Sequence, residues 1–126
     1  MNVVDSSGWL EYFANSANAT AFAKPIEQVD ALLVPSITIT EVFKRILQQR
    51  DEHAALQAAA HMSQARVIDL DTSLAMDAGK LSYEQKLPLA DSVILATAQR
   101  YQALLWTQDQ DFRDLSLPNI RYIPKR

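Results

Sequence analysis

The sequence predicts an α/β fold organised around a parallel sheet, and three observations carry that prediction. Five short β-like runs, "NVV" (2–4), "ALLVPS" (31–36), "RVIDL" (66–70), "ALLWT" (103–107) and "IRYI" (120–123), are separated by segments of helical periodicity. Such alternation is the pattern of parallel strands joined by returning helices. The first run is too short for a surface strand, and its β-branched residues suit the middle of a sheet. The chain has 126 residues, 48% of them hydrophobic, enough to bury a sizeable core as one domain spanning 1–126.

Each helical segment follows from spacing and punctuation. After "NVV", Trp9, Tyr12 and Phe13 fall at i, i+3 and i+4 and share one face of a helix over about Ser7 to Asn15. "NATAFAKPIEQVD" supplies a second helix, interrupted or restarted at Pro25. A third begins near "TITEVFKR" and either continues or breaks within the Ala- and Gln-rich "QQRDEHAALQAAAHMSQA". In "DTSLAMDAGKLSYEQ", Asp71 or Thr72 caps a helix with Leu74, Ala78 and Leu81 as its apolar stripe, and "LPLADSVILATAQRY" starts another after Pro88.

Composition narrows the function classes. A formal net charge of −3 and a pI near 5.2 give no overall basic signature, so nucleic-acid contact would depend on local Lys and Arg. Without cysteine there is no disulfide, thiolate metal site or thiol redox chemistry. Two glycines leave no glycine-rich phosphate loop. No apolar run approaches the ~20 residues of a membrane span, and a signal-peptide pattern is missing, so the expected location is the cytoplasm.

The acids at the predicted junctions are the informative residues. Asp5 follows the first strand, where it is either a helix cap or a ligand at the carboxyl edge of the sheet. Glu41 has S/T-x-x-E spacing from Thr38, which suits a capping box. Asp91 begins a helix whose following residues are almost all apolar or small. The helix dipole, worth ~0.3–1 kcal/mol, does not readily offset the desolvation of such a carboxylate unless it has further partners. Asp109 and Asp111 follow the fourth strand in "TQDQDF", with the Thr107 hydroxyl beside them. Each has a local explanation, but all lie at strand ends or helix starts, and a parallel sheet turns those positions toward one crevice. Clustered carboxylates raise one another's pKa or require a cation, and with oxygen donors alone the matching ion is Mg²⁺ or Mn²⁺.

In order along the chain, "VVDSSGWLEYF", "VPSITITEV", "LPLADSVILATA" and "TQDQDF" resemble the signature segments of PIN domains, specifically of the VapC toxin family. The resemblance spans nearly the whole chain. It implies a PIN-like fold with a central five-stranded parallel sheet flanked by helices, an acidic Mg²⁺ or Mn²⁺ site, and endoribonuclease activity. It further implies an RNA substrate, a VapB-type antitoxin and frequent homodimerisation. Asp5, Glu41, Asp91 and Asp109 match the family's acids, with Ser7 and Thr107 as supporting polar groups and Asp111 as a second candidate for the last acid.

The expected roles follow. Asp5 and Asp91 are the principal ligands, Glu41 positions or deprotonates the water, and Asp109, closer to the strand end, completes the metal shell. Asp111 begins the following turn as its cap. Lys44 and Arg45 stand at helical ion-pair spacing from Glu41. Lys80, Lys86, Arg100 and Arg113 are candidates to flank the crevice and hold RNA backbone. His53 and His61 lack paired metal-ligand spacing, and their polar surroundings suggest exposure. Trp9, Phe13 and Phe22 read as core or interface. Two other readings compete: a receiver-like Mg²⁺-binding signalling domain, whose phosphoacceptor would be Asp69 or Asp71, and a catalytically silent PIN-like binding module. The first usually carries adjacent acids where Ser6 and Ser7 here follow Asp5, and the fully occupied acidic positions do not support the second.

Overall fold

The structure, a computed structural model, describes residues Met1–Arg126. In chain order the elements are β1 (Asn2–Val4), α1 (Ser6–Phe13), α2 (Ala19–Glu27), β2 (Leu32–Pro35), α3 (Ser36–Gln49), α4 (Glu52–Met62), β3 (Arg66–Ile68), α5 (Thr72–Gln85), α6 (Leu89–Arg100), β4 (Leu104–Thr107) and β5 (Ile120–Tyr122). Short 3₁₀ turns cover Val29–Ala31 and Gln110–Phe112. All five predicted strands form. They pair in parallel in the order β3-β2-β1-β4-β5, so the chain builds outward from β1 in one direction and then resumes on its other side.

Period-2 alternation in the strands divides the core between the two sheet faces. Val3, Leu33 and Leu105 pack on one side with Leu74 and Ala78 of α5 and Ile94, Leu95 and Ala98 of α6. Val4, Leu32 and Val34 pack on the other with Trp9, Phe22, Ile26, Val42, Ile46, Ala55, Ala58 and Met62 from the first four helices. Trp9 and Phe22 are thus core residues, as their spacing suggests. Gly8 is required where α1 meets this layer: a Cβ there would stand 2.6 Å from Val4 Cγ1 and 2.7 Å from the Phe22 ring, inside van der Waals contact.

Several local expectations are corrected. Pro25 neither interrupts nor restarts α2. It is the seventh residue of that nine-residue helix, and its missing N–H is tolerated because Phe22, Pro25 and Ile26 are buried together: packing outweighs one absent backbone bond. The open question after α3 resolves as a break at Arg50, followed by Asp51 capping α4 through the Ala54 N–H at 2.8 Å. Thr38 and Glu41 form no capping box, because α3 starts at Ser36, straight out of β2. Thr38 is therefore inside the helix, buried, with no hydrogen-bond partner for its hydroxyl. His61 is half-buried rather than exposed, edge-on to the rings of Trp9, Tyr12 and Phe13, while His53 is exposed.

Candidate active site

The reversal of strand order between β1 and β4 opens a crevice at the carboxyl ends of those strands, the position at which open α/β sheets bind ligands. β1 delivers Asp5 there, and β4 delivers Thr107 and then the turn carrying Asp109 and Asp111. The start of α6 brings Asp91, the third residue of that helix. Glu41 comes from the second turn of α3.

Asp5 is 2% exposed, and protein donors meet both of its oxygens. Oδ1 accepts from the Ser7 hydroxyl at 2.7 Å and the Gly8 N–H at 3.0 Å, and Oδ2 accepts from the Thr107 hydroxyl at 2.5 Å. The bond from Gly8 makes Asp5 the N-cap of α1, so the cap and crevice placements coincide in one residue. Thr107 Oγ1 in turn accepts from the Asp109 N–H at 2.9 Å, which ties the β4 turn to Asp5. Ser7 and Thr107, the two predicted supporting residues, thus both donate to Asp5.

One carboxylate oxygen each from Asp91, Asp109 and Asp111 lies within 4.8 Å of the others. Both candidates for the last acid therefore meet Asp91, although the turn differs from expectation. Asp109, not Asp111, is its cap, accepting from the Asp111 N–H at 2.8 Å, because the 3₁₀ turn starts at Gln110, one residue earlier than the sequence suggested. The Asp111 carboxylate, relieved of capping, stands beside Asp91. Asp5 stands outside this tight trio but close enough for its charge to act on Asp91. Glu41 is not in the trio either. Its Oε1 accepts from the Ser6 hydroxyl at 2.6 Å, a tether between α1 and α3 that sequence reasoning missed, since only the placement of Ser6 next to Asp5 hinted at it.

The electrostatics follow from burial. Desolvation pushes the Asp5 carboxyl up to about 6, against the opposing bonds from Thr107, Ser7 and Gly8 and with help from the Asp109 charge. Desolvation also raises Asp91, to about 8, reinforced by the adjacent Asp111 carboxyl and by the charges of Asp109, Asp111 and Asp5. No cationic side chain relieves this crowding. The ion pairs of the chain are Arg100 with Asp71 and Asp77, and Arg113 with Asp114; Lys44 and Arg45 form none with Glu41. Arg100, nine residues along α6 from Asp91, is about 13 Å further down the helix and does not flank the crevice. The donors present are all hard carboxylate oxygens, two of them on raised groups, and this set fits a divalent cation such as Mg²⁺ or Mn²⁺.

A PIN-domain family model matches residues 3–117, which run from within β1 through the acidic turn. The chain belongs to the PIN-domain family. Solved structures with the same fold include a toxin–antitoxin complex from Klebsiella pneumoniae, with TM-score 0.78, 24% identity and 96% of each chain covered. VapC20 of Mycobacterium tuberculosis, a sarcin-ricin loop cleaving toxin, superposes with TM-score 0.78 at 18% identity over 96% of this chain and 99% of that one. VapBC2 from Rickettsia felis, bound to a DNA fragment from its promoter, gives TM-score 0.73 at 14% identity over 98% and 97%. At these identities the likeness is one of fold. There is no significant match among curated protein sequences. For a PIN domain, the position of β3 also disposes of the receiver-like alternative: β3 is an edge strand, and Asp71 beyond it caps α5 and pairs with Arg100 instead of joining the crevice.

Proposed function

We propose that this PIN-domain chain, acting as one domain over residues 1–126, is a Mg²⁺- or Mn²⁺-dependent endoribonuclease and the toxin of a cytoplasmic toxin–antitoxin pair. The observation that carries the reading is the meeting of Asp91, Asp109 and Asp111 beside Asp5 at the strand-order reversal, with no Lys or Arg paired to any of them. Asp5, Asp91 and Asp109 would hold the cation, with Asp111 supporting Asp91 and Ser7 and Thr107 fixing Asp5. When bound there, the ion supplies charge neutralisation at the phosphoryl oxygens and polarises water.

This chain's own groups do the rest. Glu41, oriented by Ser6, takes the proton from the water that attacks phosphorus. The bond from phosphorus to the 3′ oxygen breaks as the new P–O bond forms, and the departing oxygen takes a proton from solvent, leaving a 3′-hydroxyl on one fragment and a 5′-phosphate on the other. To hold a cation Asp91 would have to be ionised, since a ligand carboxylate must be deprotonated. A VapB-type antitoxin fits the same chemistry, because a basic side chain entering the acidic crevice would supply the missing positive charge. The Klebsiella and Rickettsia neighbours, which are toxin–antitoxin assemblies, support that partner, and homodimerisation belongs to the same reading.

Purified chain should cut RNA with Mn²⁺ or Mg²⁺ present and fall silent in EDTA, with activity restored on adding the ion back. Full cleavage after verified metal removal would overturn the mechanism. Recovery of no small co-encoded protein in a pull-down from the native host, together with harmless overexpression of active enzyme, would overturn the toxin role alone.

A further inference from the structure

Next to the acidic crevice lies a closed ring of polar side chains that touches none of its carboxylates. Asn18 and Gln108, 3% and 6% exposed, are 90 residues apart, one preceding α2 and the other following β4. Asn18 Nδ2 donates to Gln108 Oε1 at 3.0 Å and to the Pro124 carbonyl at 3.0 Å. Gln108 Nε2 donates to Glu11 Oε1 at 3.1 Å, and Glu11 Oε2 accepts from the Asn18 N–H at 2.7 Å, which closes the ring. Burying two primary amides is costly unless their polar groups are paired. A local reason is missing too, because Asn18 stands at the N-cap position of α2 yet makes no side-chain cap bond.

The place of Gln108 in the chain supplies a reason. Thr107 before it donates to Asp5, and Asp109 after it belongs to the trio with Asp91. Its backbone N–H donates to Ser7 Oγ at 3.2 Å, and the Ser7 hydroxyl donates to Asp5. The turn 107–112 is held by bonds at Thr107, the Gln108 N–H and the Asp109 N–H, by Phe112 in the core at 1% exposure, and by the Gln108 side chain in the ring. Between Gln108 and Phe112 lie the two carboxylates that meet Asp91. Without the ring the turn keeps its bonds to Asp5 and Ser7 but loses the side-chain anchor that fixes it to Glu11 and Asn18.

We propose that Gln108 and Asn18, with Glu11 between them, are positioning residues: the ring holds the β4 turn against α1 so that Asp109 and Asp111 keep their separation from Asp91 both with and without a cation. The inference rests on the metal-site reading above only for its consequence on cation affinity; the effect on the turn stands apart from it.

The experiment compares the protein with Gln108→Met, Gln108→Glu, Glu11→Gln and the double exchange Glu11→Gln/Gln108→Glu. The readouts are amide hydrogen exchange at Asp109 and Asp111 in EDTA and calorimetric titration with Mn²⁺. Gln108→Met, which keeps length but removes both side-chain bonds, should exchange at those amides about tenfold faster and bind Mn²⁺ about tenfold more weakly, while still unfolding cooperatively. Gln108→Glu sets two carboxylates against each other and should be at least as impaired. The double exchange should recover slow exchange and Mn²⁺ affinity, because an amide at position 11 and a carboxylate at position 108 satisfy the same three bonds with the polarity of one reversed. Recovery by exchange is a result that a general loss of packing would not give. Unchanged exchange in Gln108→Met, or a double exchange no better than Gln108→Glu, would overturn the proposal. A wild-type chain that binds no Mn²⁺ would instead sink the metal-site reading, and the exchange data would then decide the ring's role by themselves.

Discussion

Asp5 and Asp71 occupy the same local motif and have opposite electrostatic fates. Both are helix N-caps with extended backbone, at φ −75°, ψ 176° and φ −84°, ψ 174°, and both accept from the N–H three residues on, at 3.0 Å and 2.8 Å. Asp71 caps α5 beyond the edge strand, where it is exposed and receives Arg100 Nη1 on both oxygens at 3.2 Å and 3.1 Å. The Leu74 N–H and Arg100 together hold its carboxyl below the ordinary value. Asp5 caps α1 beyond the central strand, where burial and a neighbouring carboxylate outweigh three hydrogen bonds and raise it. Capping and crevice placement are thus not rival explanations of an aspartate. The cap fixes where the carboxylate stands, and its position in the sheet decides what it can do there.

The largest expected contrast between the two is in catalysis. Asp5→Asn and Asp91→Asn should lower RNA cleavage about a hundredfold or more while the chain stays folded, whereas Asp71→Asn should leave cleavage within about twofold of wild type. Rates measured beside thermal unfolding in EDTA separate the effects. Unfolding of Asp5→Asn and Asp91→Asn with no separate catalytic loss would reduce both residues to structural roles. Within the crevice, Asp109→Asn should weaken Mn²⁺ binding more than Asp111→Asn, and metal titration of both variants checks the order.

The pH dependence of stability should also have opposite signs for the two caps. Asp5 and Asp91 titrate higher in the folded chain than the ordinary 3.8, so between about pH 4 and 8 the folded state binds more protons than the unfolded one. Their contribution is complete below pH 4 and is lost as pH rises toward 8. In EDTA the melting temperature should fall over that range, and Asp91→Asn should flatten the fall. Asp71 is lowered, so its contribution is present at neutral pH and is lost as pH drops below the ordinary carboxylate range. The smallest effect belongs to Arg100→Ala, which removes an exposed pair and should lower the melting temperature slightly at low salt and less at high salt.

The sequence revealed the parallel α/β class, all five strands and the gathering of acids at one edge, because strand runs, capping residues and the carboxylate of Asp91 in an apolar helix are all local signals. What it left hidden depends on where elements begin and on contacts across the chain. Thr38 and Glu41 have capping-box spacing, yet the helix starts at Ser36 and leaves Glu41 to Ser6, 35 residues away. Asp109 and Asp111 exchanged the cap because a 3₁₀ turn began one residue sooner than expected. Pro25 signalled a break that the burial of Phe22 and Ile26 overrode. Asn18 and Gln108 carry no motif at all, and their partnership exists only once β4 lies beside α1.

The central claim is that the buried acids are completed by a divalent cation. Titrating Mn²⁺ into the purified chain at pH 6 and pH 8, with proton release followed in two buffers of different ionisation enthalpy, tests it most directly. Binding should be tighter at pH 8, should release protons at pH 6 as the raised carboxyls ionise, and should disappear in Asp91→Asn. No binding at millimolar Mn²⁺, or binding that Asp91→Asn leaves unchanged, would contradict it.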